Sequence, residues 1–202
     1  MRKIFVTGIG TDVGKTVVSA VLVEKLKADY WKPIQAGHLN NSDSRIMQEL
    51  ITNEKTHFHS EAYCFSNPVA PILAAEMDGM KINMSKIKMP ETRNNIIIEG
   101  AGGLMVPLTP KSMIVDLIAA LDAEVVLVSK NYLGSINHTL LSIELLKQRK
   151  LTITGIIFNG LPNEESEKYI LNYSGIRCLG RIKHAPKLTQ DFIIKSGAGI
   201  TI

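Results

Sequence analysis

A handful of short stretches hold the residue types from which nucleotide chemistry can be built. The first is "VTGIGTDVGKT", residues 6–16, where Gly14-Lys15-Thr16 ends a run close to the phosphate-loop template of Gly, four residues, then Gly-Lys-Ser/Thr. Ile9 stands where the first glycine of that template belongs, with Gly8 and Gly10 on either side. The stretch fits a variant loop with one extra residue before its final glycine, which creates the positions of Thr11 and Asp12. In such a loop the backbone of Asp12, Val13, Gly14, Lys15, Thr16 and Val17 would cradle phosphates at a helix N-terminus. Lys15 would reach the outer phosphates and the Thr16 hydroxyl would coordinate Mg²⁺. The competing reading is a structural turn with a solvated lysine.

Other stretches carry polar residues where apolar runs stop. "YWKPIQAG" places Lys32 before Pro33, in a run too apolar for a lysine unless it meets an anion or snorkels out at an edge. "NNSDSR" offers Asp43 at the start of a helical pattern, where capping is the favoured reading. "IIIEGAGG" ends an apolar run on Glu99, and the expected turn at Gly100, Ala101 and Gly102 would let backbone approach a ligand. Glu99 is therefore a candidate partner of Mg²⁺. In "LGSINHTLL", Gly134 and Ser135 would open a helix whose first turn, with Ile136 and Asn137, offers free N–H groups to a carboxylate; His138 is read as structural. "FNG" ends on Asn159 and Gly160: either a turn, or an amide able to read the N6 and N7 edge of adenine. No Ser-His-Asp order, Cys-His pair or zinc spacing accompanies these residues, which leaves Mg-nucleotide handling as the chemistry to expect.

The elements that must position them alternate. Short, β-branched apolar runs predict strands at residues 3–7, 30–34, 95–98, 124–129 and 153–158, with a weaker one at 177–182. Helical patterns fall at 15–28, 42–51, 69–77, 114–121, 136–149 and 164–172; residues 52–90 are the least regular part. Alternation of this kind predicts an α/β fold, a mainly parallel sheet with helices on both faces, in one domain spanning 1–202. Ligands of such sheets bind outside the carboxyl ends of the strands, where the unusual residues collect.

Composition narrows the class. A 45% hydrophobic content suffices for one large core, and no run approaches the roughly 18 apolar residues of a membrane helix. A soluble cytoplasmic protein with reduced Cys64 and Cys178 is expected. The net charge of +4 comes from scattered lysines and aromatics reach only 5%, a poor match to a nucleic-acid binder and a good one to an enzyme that attracts small anions.

Taken together, "FVTGIGTDVGKT", "KPIQAG", "NSD", "NPVAP", "EGAGGLMVPL", "LGSINHTLL" and "FNG" resemble the dethiobiotin synthetases of biotin synthesis, in that family's order over most of the chain. The resemblance implies a P-loop NTPase-like fold and a homodimer that converts 7,8-diaminononanoate, CO₂ and MgATP into dethiobiotin, ADP and phosphate, with no part for nucleic acid or membrane. It implies that Thr11, Lys15 and Lys32 surround the reacting carbamate and γ-phosphate, and that Thr16, Asp43 and Glu99 hold Mg²⁺. Asn159, Gly160 and Lys183 would line the adenine site. Ala36, Tyr169 and a partner subunit's copy of the segment Ser135, Ile136, Asn137 would meet the substrate. Three positions depart from the family pattern: Ala36 replaces Ser or Thr, Ile72 a frequent His, and Lys183 a frequent Pro. The alternatives are a P-loop amide-forming synthetase, a partition or division-site ATPase, and a regulator that binds nucleotide without turnover. The second carries a signature lysine where this chain has Gly10.

Overall fold

The computed structural model describes residues 1–202. The chain opens on β1 (Lys3–Gly8), crosses through α1 (Lys15–Leu26) to β2 (Asp29–Trp31) and β3 (Ile34–Ala36), then runs through α2 (Asp43–Leu50), β4 (Phe58–His59), β5 (Tyr63–Phe65) and α3 (Pro71–Met77). It returns through the centre as β6 (Ile96–Gly103) and turns in the small hairpin of β7 (Pro107–Thr109) and β8 (Ser112–Met113). From there it alternates: α4 (Ile114–Leu121), β9 (Glu124–Lys130), α5 (Ser135–Gln148), β10 (Ile153–Asn159), α6 (Glu164–Ser174), β11 (Cys178–Ile182) and α7 (Gln190–Ala198). Seven strands form one sheet in the order β11-β10-β9-β1-β6-β2-β4, and every neighbouring pair is parallel.

The expected α/β architecture follows from strands that are apolar on both faces. Ile4 and Val6 of β1 pack with Ile97, Val126 and Val128 beneath α1, α2 and α7. Phe5, Ile96, Ile98 and Val125 face the other way, onto α4 and Leu146 of α5. Two-sided burial explains why these strands read as continuous hydrophobic runs instead of alternating ones. Strand β1 lies between β6 and β9, so the connections run outward from it on both sides. That reversal opens a crevice at the carboxyl end of β1, where the Gly-rich loop begins.

The structure departs from the expected elements in three informative places. The strand expected at 30–34 is split, because Pro33 has no N–H to give to a ladder; β2 stops at Trp31, and β3 leaves the main sheet to pair with β5. Strand β6 continues through the glycines that were expected to turn, reaching a Gly8–Gly103 pair with β1 after a shift of register. A built Cβ at Gly100 would lie 2.7 Å from Cε1 of Phe5, so only glycine lets the two strands lie this close. Helix α7 was not expected at all. It is capped by the Thr189 hydroxyl and packs on α1, where Lys25 Nζ donates to the Gly197 carbonyl at 2.9 Å. Its amphipathic signal spans only nine residues and includes Gly197, which weakens the helical pattern. The remaining helix limits differ by one or two residues, within the fraying of helix ends.

The outer edge of the sheet is tied down by one carboxylate. Asp29 is buried and accepts hydrogen bonds from Thr92 Oγ1 at 2.6 Å, the His57 backbone at 3.1 Å and Asn94 Nδ2 at 3.1 Å, with His59 Nε2 also at 3.1 Å. Burial pushes its pKa up, but these partners outweigh burial and hold the carboxyl below its usual range. A depressed folded-state pKa contributes stability that is present above the unfolded value of about 3.9 and is lost as pH falls through the folded value. Asp29→Asn is therefore expected to lower the unfolding free energy by about 1–3 kcal/mol at pH 7. The deficit should shrink near pH 3; urea denaturation at both pH values checks this, and wild-type stability at pH 7 would refute it.

Candidate active site

Side chains alternate along a strand, so Tyr30 and Lys32 project to one face of β2 and its extension while Trp31 projects to the other. On neighbouring β6, Ile97 and Glu99 share the face of Tyr30 and Lys32, beneath α1. The result is a charge cluster in the interior: Lys32 is 4% exposed and Glu99 1%. Lys32 Nζ lies 2.5 Å from Asp43 Oδ2, 3.1 Å from Glu99 Oε1 and 3.3 Å from the Gly100 carbonyl. The snorkelling alternative for Lys32 is thereby overturned. Desolvation alone would lower the Lys32 pKa, but the two carboxylates outweigh it and raise it, so the ammonium stays charged.

The capping reading of Asp43 is also overturned. Ser42 caps α2, its hydroxyl accepting from the Arg45 backbone, and Asp43 at the first helical position turns its side chain inward. Burial pushes the Asp43 pKa up, while Lys32, the Thr16 hydroxyl and the Lys15 charge together bring it below the ordinary value. Thr16 Oγ1 lies 2.8 Å from Asp43 Oδ1 and 2.8 Å from Glu99 Oε1. A hydroxyl has one hydrogen and can serve only one of these carboxylates at a time. Three oxygens thus converge where a cation would satisfy all of them. No three His, Cys, Asp or Glu side chains gather to hold a metal unaided. Two carboxylates and a hydroxyl nevertheless fit Mg²⁺, which completes its shell with water and phosphate oxygens.

The Gly-rich loop wraps the other side. Gly14 precedes α1 with φ 93°, a left-handed conformation that favours glycine, and a built Cβ there would lie 2.0 Å from Asn159 Nδ2. Asn159 Nδ2 donates to the Val13 carbonyl at 2.9 Å, so the end of β10 clamps the loop; Oδ1 and the second Nδ2 hydrogen remain for other partners. Lys15 is buried with its Nζ 3.1 Å from the Gly10 carbonyl; desolvation above all lowers its pKa, repulsion from Lys32 adds to this, and Glu99 and Asp43 oppose it. Thr11 and Asp12 form the exposed tip, with Thr11 Oγ1 beside Gly102, and Lys130 Nζ donates to the Asp12 carbonyl at 3.3 Å. Val17 and Ala101 are half-buried, and Gly160 is buried with its N–H on the Ile182 carbonyl.

Ser135, Ile136, Asn137 and Tyr169 also come together, but elsewhere. They line a cavity of about 780 Å³ between the start of α5 and the start of α6, and neither Lys15 nor Lys32 lines it. His138 Nδ1 is 2.7 Å from the Tyr132 hydroxyl, in keeping with a structural part. Ala36 ends β3, Ile72 lies half-buried in the first turn of α3, and Lys183 is exposed just past β11. A separate cavity of about 420 Å³, bordered by Arg2, Lys3, Asp122 and Glu124, lies at the opposite, amino ends of the strands. Two residues that bear on the charge cluster were missed in the sequence. Tyr30, fully buried, donates its hydroxyl to Glu99 Oε2 at 3.0 Å, and Gln35 Oε1 accepts from the Asp43 backbone at 3.4 Å. The two-residue spacing of Tyr30 and Lys32 was the available signal, since it puts both on one face.

Comparison with known proteins supplies the family and the fold. A family model described as an AAA domain matches residues 2–191. The ATP-dependent dethiobiotin synthetase BioD of Christiangramia forsetii is 52% identical, over 98% of this chain and 94% of its own. The enzyme of the same name from Cytophaga hutchinsonii is 47% identical, over 96% and 94%. Among solved structures, the septum site-determining protein MinD of Pyrococcus horikoshii, complexed with Mg-ADP, aligns with a TM-score of 0.59 at 14% identity, covering 96% of this chain and 86% of its own. A ParA family ATPase from Chlorobium tepidum aligns with a TM-score of 0.57 at 13% identity, covering 98% and 91%. At those identities the structures establish a shared P-loop fold and nothing more. The sequence relatives establish more: this chain belongs to the ATP-dependent dethiobiotin synthetases, ligases of biotin synthesis.

Proposed function

We propose that the chain, as one domain, closes the ureido ring of dethiobiotin from 7,8-diaminononanoate and CO₂, converting ATP to ADP and phosphate. The observation that carries this reading is the convergence of Lys15, Lys32, Thr16, Asp43 and Glu99 at the mouth of the phosphate loop. One neutral amine of the substrate adds to CO₂ and loses a proton, giving a carbamate. A carbamate oxygen attacks the γ-phosphorus and displaces ADP, and the second amine then attacks the activated carbonyl carbon, closing the ring and expelling phosphate. Negative charge grows on oxygen at each step, and fixed donors stabilise it without reorganising. Lys15 and Lys32 supply such donors, and Thr11 supplies a hydroxyl from the loop tip. Thr16, Asp43 and Glu99 would hold Mg²⁺, which when bound neutralises charge on the β- and γ-phosphates.

The remaining parts follow the same reading. The N–H groups of Asp12, Val13, Gly14, Lys15, Thr16 and Val17 receive phosphate oxygens, with Gly100, Ala101 and Gly102 leaving room beside them. Asn159 uses its free amide positions on adenine, flanked by Gly160 and Lys183. Ser135, Ile136, Asn137 and Tyr169 receive the substrate carboxylate from a partner subunit, while Ala36 lies against the substrate. Their separation from the lysine pair within one chain supports a homodimer with shared sites. No helix is long and apolar enough to cross a membrane; a cytoplasmic location is part of the same proposal.

Incubation with MgATP, bicarbonate and 7,8-diaminononanoate should give a product heavier than the diamine by CO₂ less one water, read by mass spectrometry. ATP hydrolysis indifferent to the diamine, with no such product, would reject the synthetase reading. Lys15→Gln and Lys32→Gln should each lower turnover by about 10²–10³ or more. Lys15→Gln should melt near the wild type because its Nζ contacts only a carbonyl. Lys32→Gln strands the buried Glu99 beside the half-buried Asp43 and should also cost about 3–5 kcal/mol of stability. Gly14→Ala should abolish ADP binding in calorimetry, because the added methyl displaces Asn159 and strains the loop; wild-type affinity would contradict the role given to this loop.

A further inference from the structure

The two oxygens of Glu99 have different partners. Oε1 faces the Thr16 hydroxyl at 2.8 Å and Lys32 Nζ at 3.1 Å, on the side where the three oxygens converge. Oε2 faces away from it and accepts from the Tyr30 hydroxyl at 3.0 Å. Tyr30 is itself immobilised: fully buried, its ring lies under α1 and α2 and makes an edge contact with Phe58 at 6.2 Å between centroids. Its backbone N–H is held by the His57 carbonyl at 2.9 Å. Burial first, and then the Glu99 and Asp43 charges, push its phenol pKa well above the usual value, so the hydroxyl remains a donor. Asp43 is treated alike, with Oδ1 toward Thr16 and Oδ2 on the Lys32 ammonium. Asp43 Oδ2 is therefore held by Lys32 and Glu99 Oε2 by Tyr30, while Asp43 Oδ1 and Glu99 Oε1 meet at Thr16 beside the cation position, Oε1 also accepting from Lys32.

We propose that Tyr30 is a positioning residue that holds Glu99 to single-oxygen coordination and thereby makes the site select Mg²⁺ over Ca²⁺. The inference rests on the Mg²⁺ site proposed above. Mg²⁺ demands near-ideal octahedral geometry at 2.0–2.1 Å, which single-oxygen ligands provide, whereas Ca²⁺ takes six to eight oxygens at 2.3–2.6 Å and readily uses a carboxylate through both. A donor fixed on Oε2 competes with two-oxygen coordination and pins the carboxylate plane. Removing it frees Glu99 to rotate and offer both oxygens to a larger ion. Outer-shell partners of this kind change metal affinity by about 10–100-fold when removed.

The test is Tyr30→Phe, which keeps the ring and deletes only the hydroxyl. Mn²⁺ bound to the full protein with ADP is followed by electron paramagnetic resonance, and Mg²⁺ and Ca²⁺ are added as competitors at equal ADP concentration for both proteins. The Mg²⁺:Ca²⁺ competition ratio should fall by about tenfold or more in the variant. Being a ratio taken on the ion-binding molecules, it does not depend on the fraction folded. Glu99→Gln should weaken both ions. An unchanged ratio in Tyr30→Phe would overturn the role of Tyr30 while leaving the metal site intact. Failure of the wild-type protein to bind Mn²⁺ in excess of free ADP would overturn the metal site, and this inference with it.

Discussion

A buried cation and carboxylate, Lys32 and Glu99, with the half-buried Asp43 beside them, impose the constraint on which the site depends. Unpaired charges in an apolar interior are costly enough to unfold a protein of ordinary stability, so buried Lys32 and Glu99 must meet, with Asp43 closing over Lys32 from the half-exposed side. They come from three separate elements, and each is steered there by an ordinary local device. Pro33 ends β2 one residue after Lys32; the Ser42 cap frees Asp43 from capping α2; parallel pairing of β2 with β6 sets Glu99 one step beyond the partner of Trp31. Correct folding and correct assembly of the site are the same event here.

The crevice at the end of β1 then explains why the phosphate loop lies against this cluster. Strand β1 is flanked by β6 on one side and β9 on the other, so its outgoing chain has open space above the sheet and enters α1 directly. The N-terminus of that helix and the Lys15 ammonium, which has no carboxylate in direct contact, offer phosphate its donors. The same proximity has an electrostatic cost: desolvation above all, with repulsion from Lys32, depresses the pKa of Lys15, whereas direct contact with Glu99 and Asp43 outweighs burial and raises that of Lys32.

What could be read from the amino-acid sequence was whatever depends on local pattern. The parallel core strands were legible because burial on both faces leaves unbroken β-branched runs such as "VVLV"; Glu99 was legible because it follows such a run, and Lys15 and Thr16 because they complete the Gly-Lys-Thr template. Local pattern alone did not give the destination of Asp43, which only the family resemblance supplied, since capping is the commoner fate of an Asp at the start of a helix and only the position of Lys32 decides otherwise. Tyr30 was hidden for a related reason. In an apolar strand a tyrosine looks like packing, and its hydrogen bond to Glu99 spans 69 residues of chain. Helix α7 and the exit of β3 from the sheet likewise rest on tertiary partners, α1 and β5, that local sequence does not name.

The close approach of β6 to β1 at Gly100 has a consequence for genetics. The atom that an alanine methyl would strike there belongs to the Phe5 ring, a side chain, at 2.7 Å. An inactive Gly100→Ala allele should therefore be open to suppression by a second change that shortens Phe5. The obstacle at Gly180 is the backbone carbonyl of Gly199, 2.3 Å from a built Cβ, and no substitution removes a main-chain atom. Two glycines of equal apparent importance thus differ in whether a lineage could ever leave them.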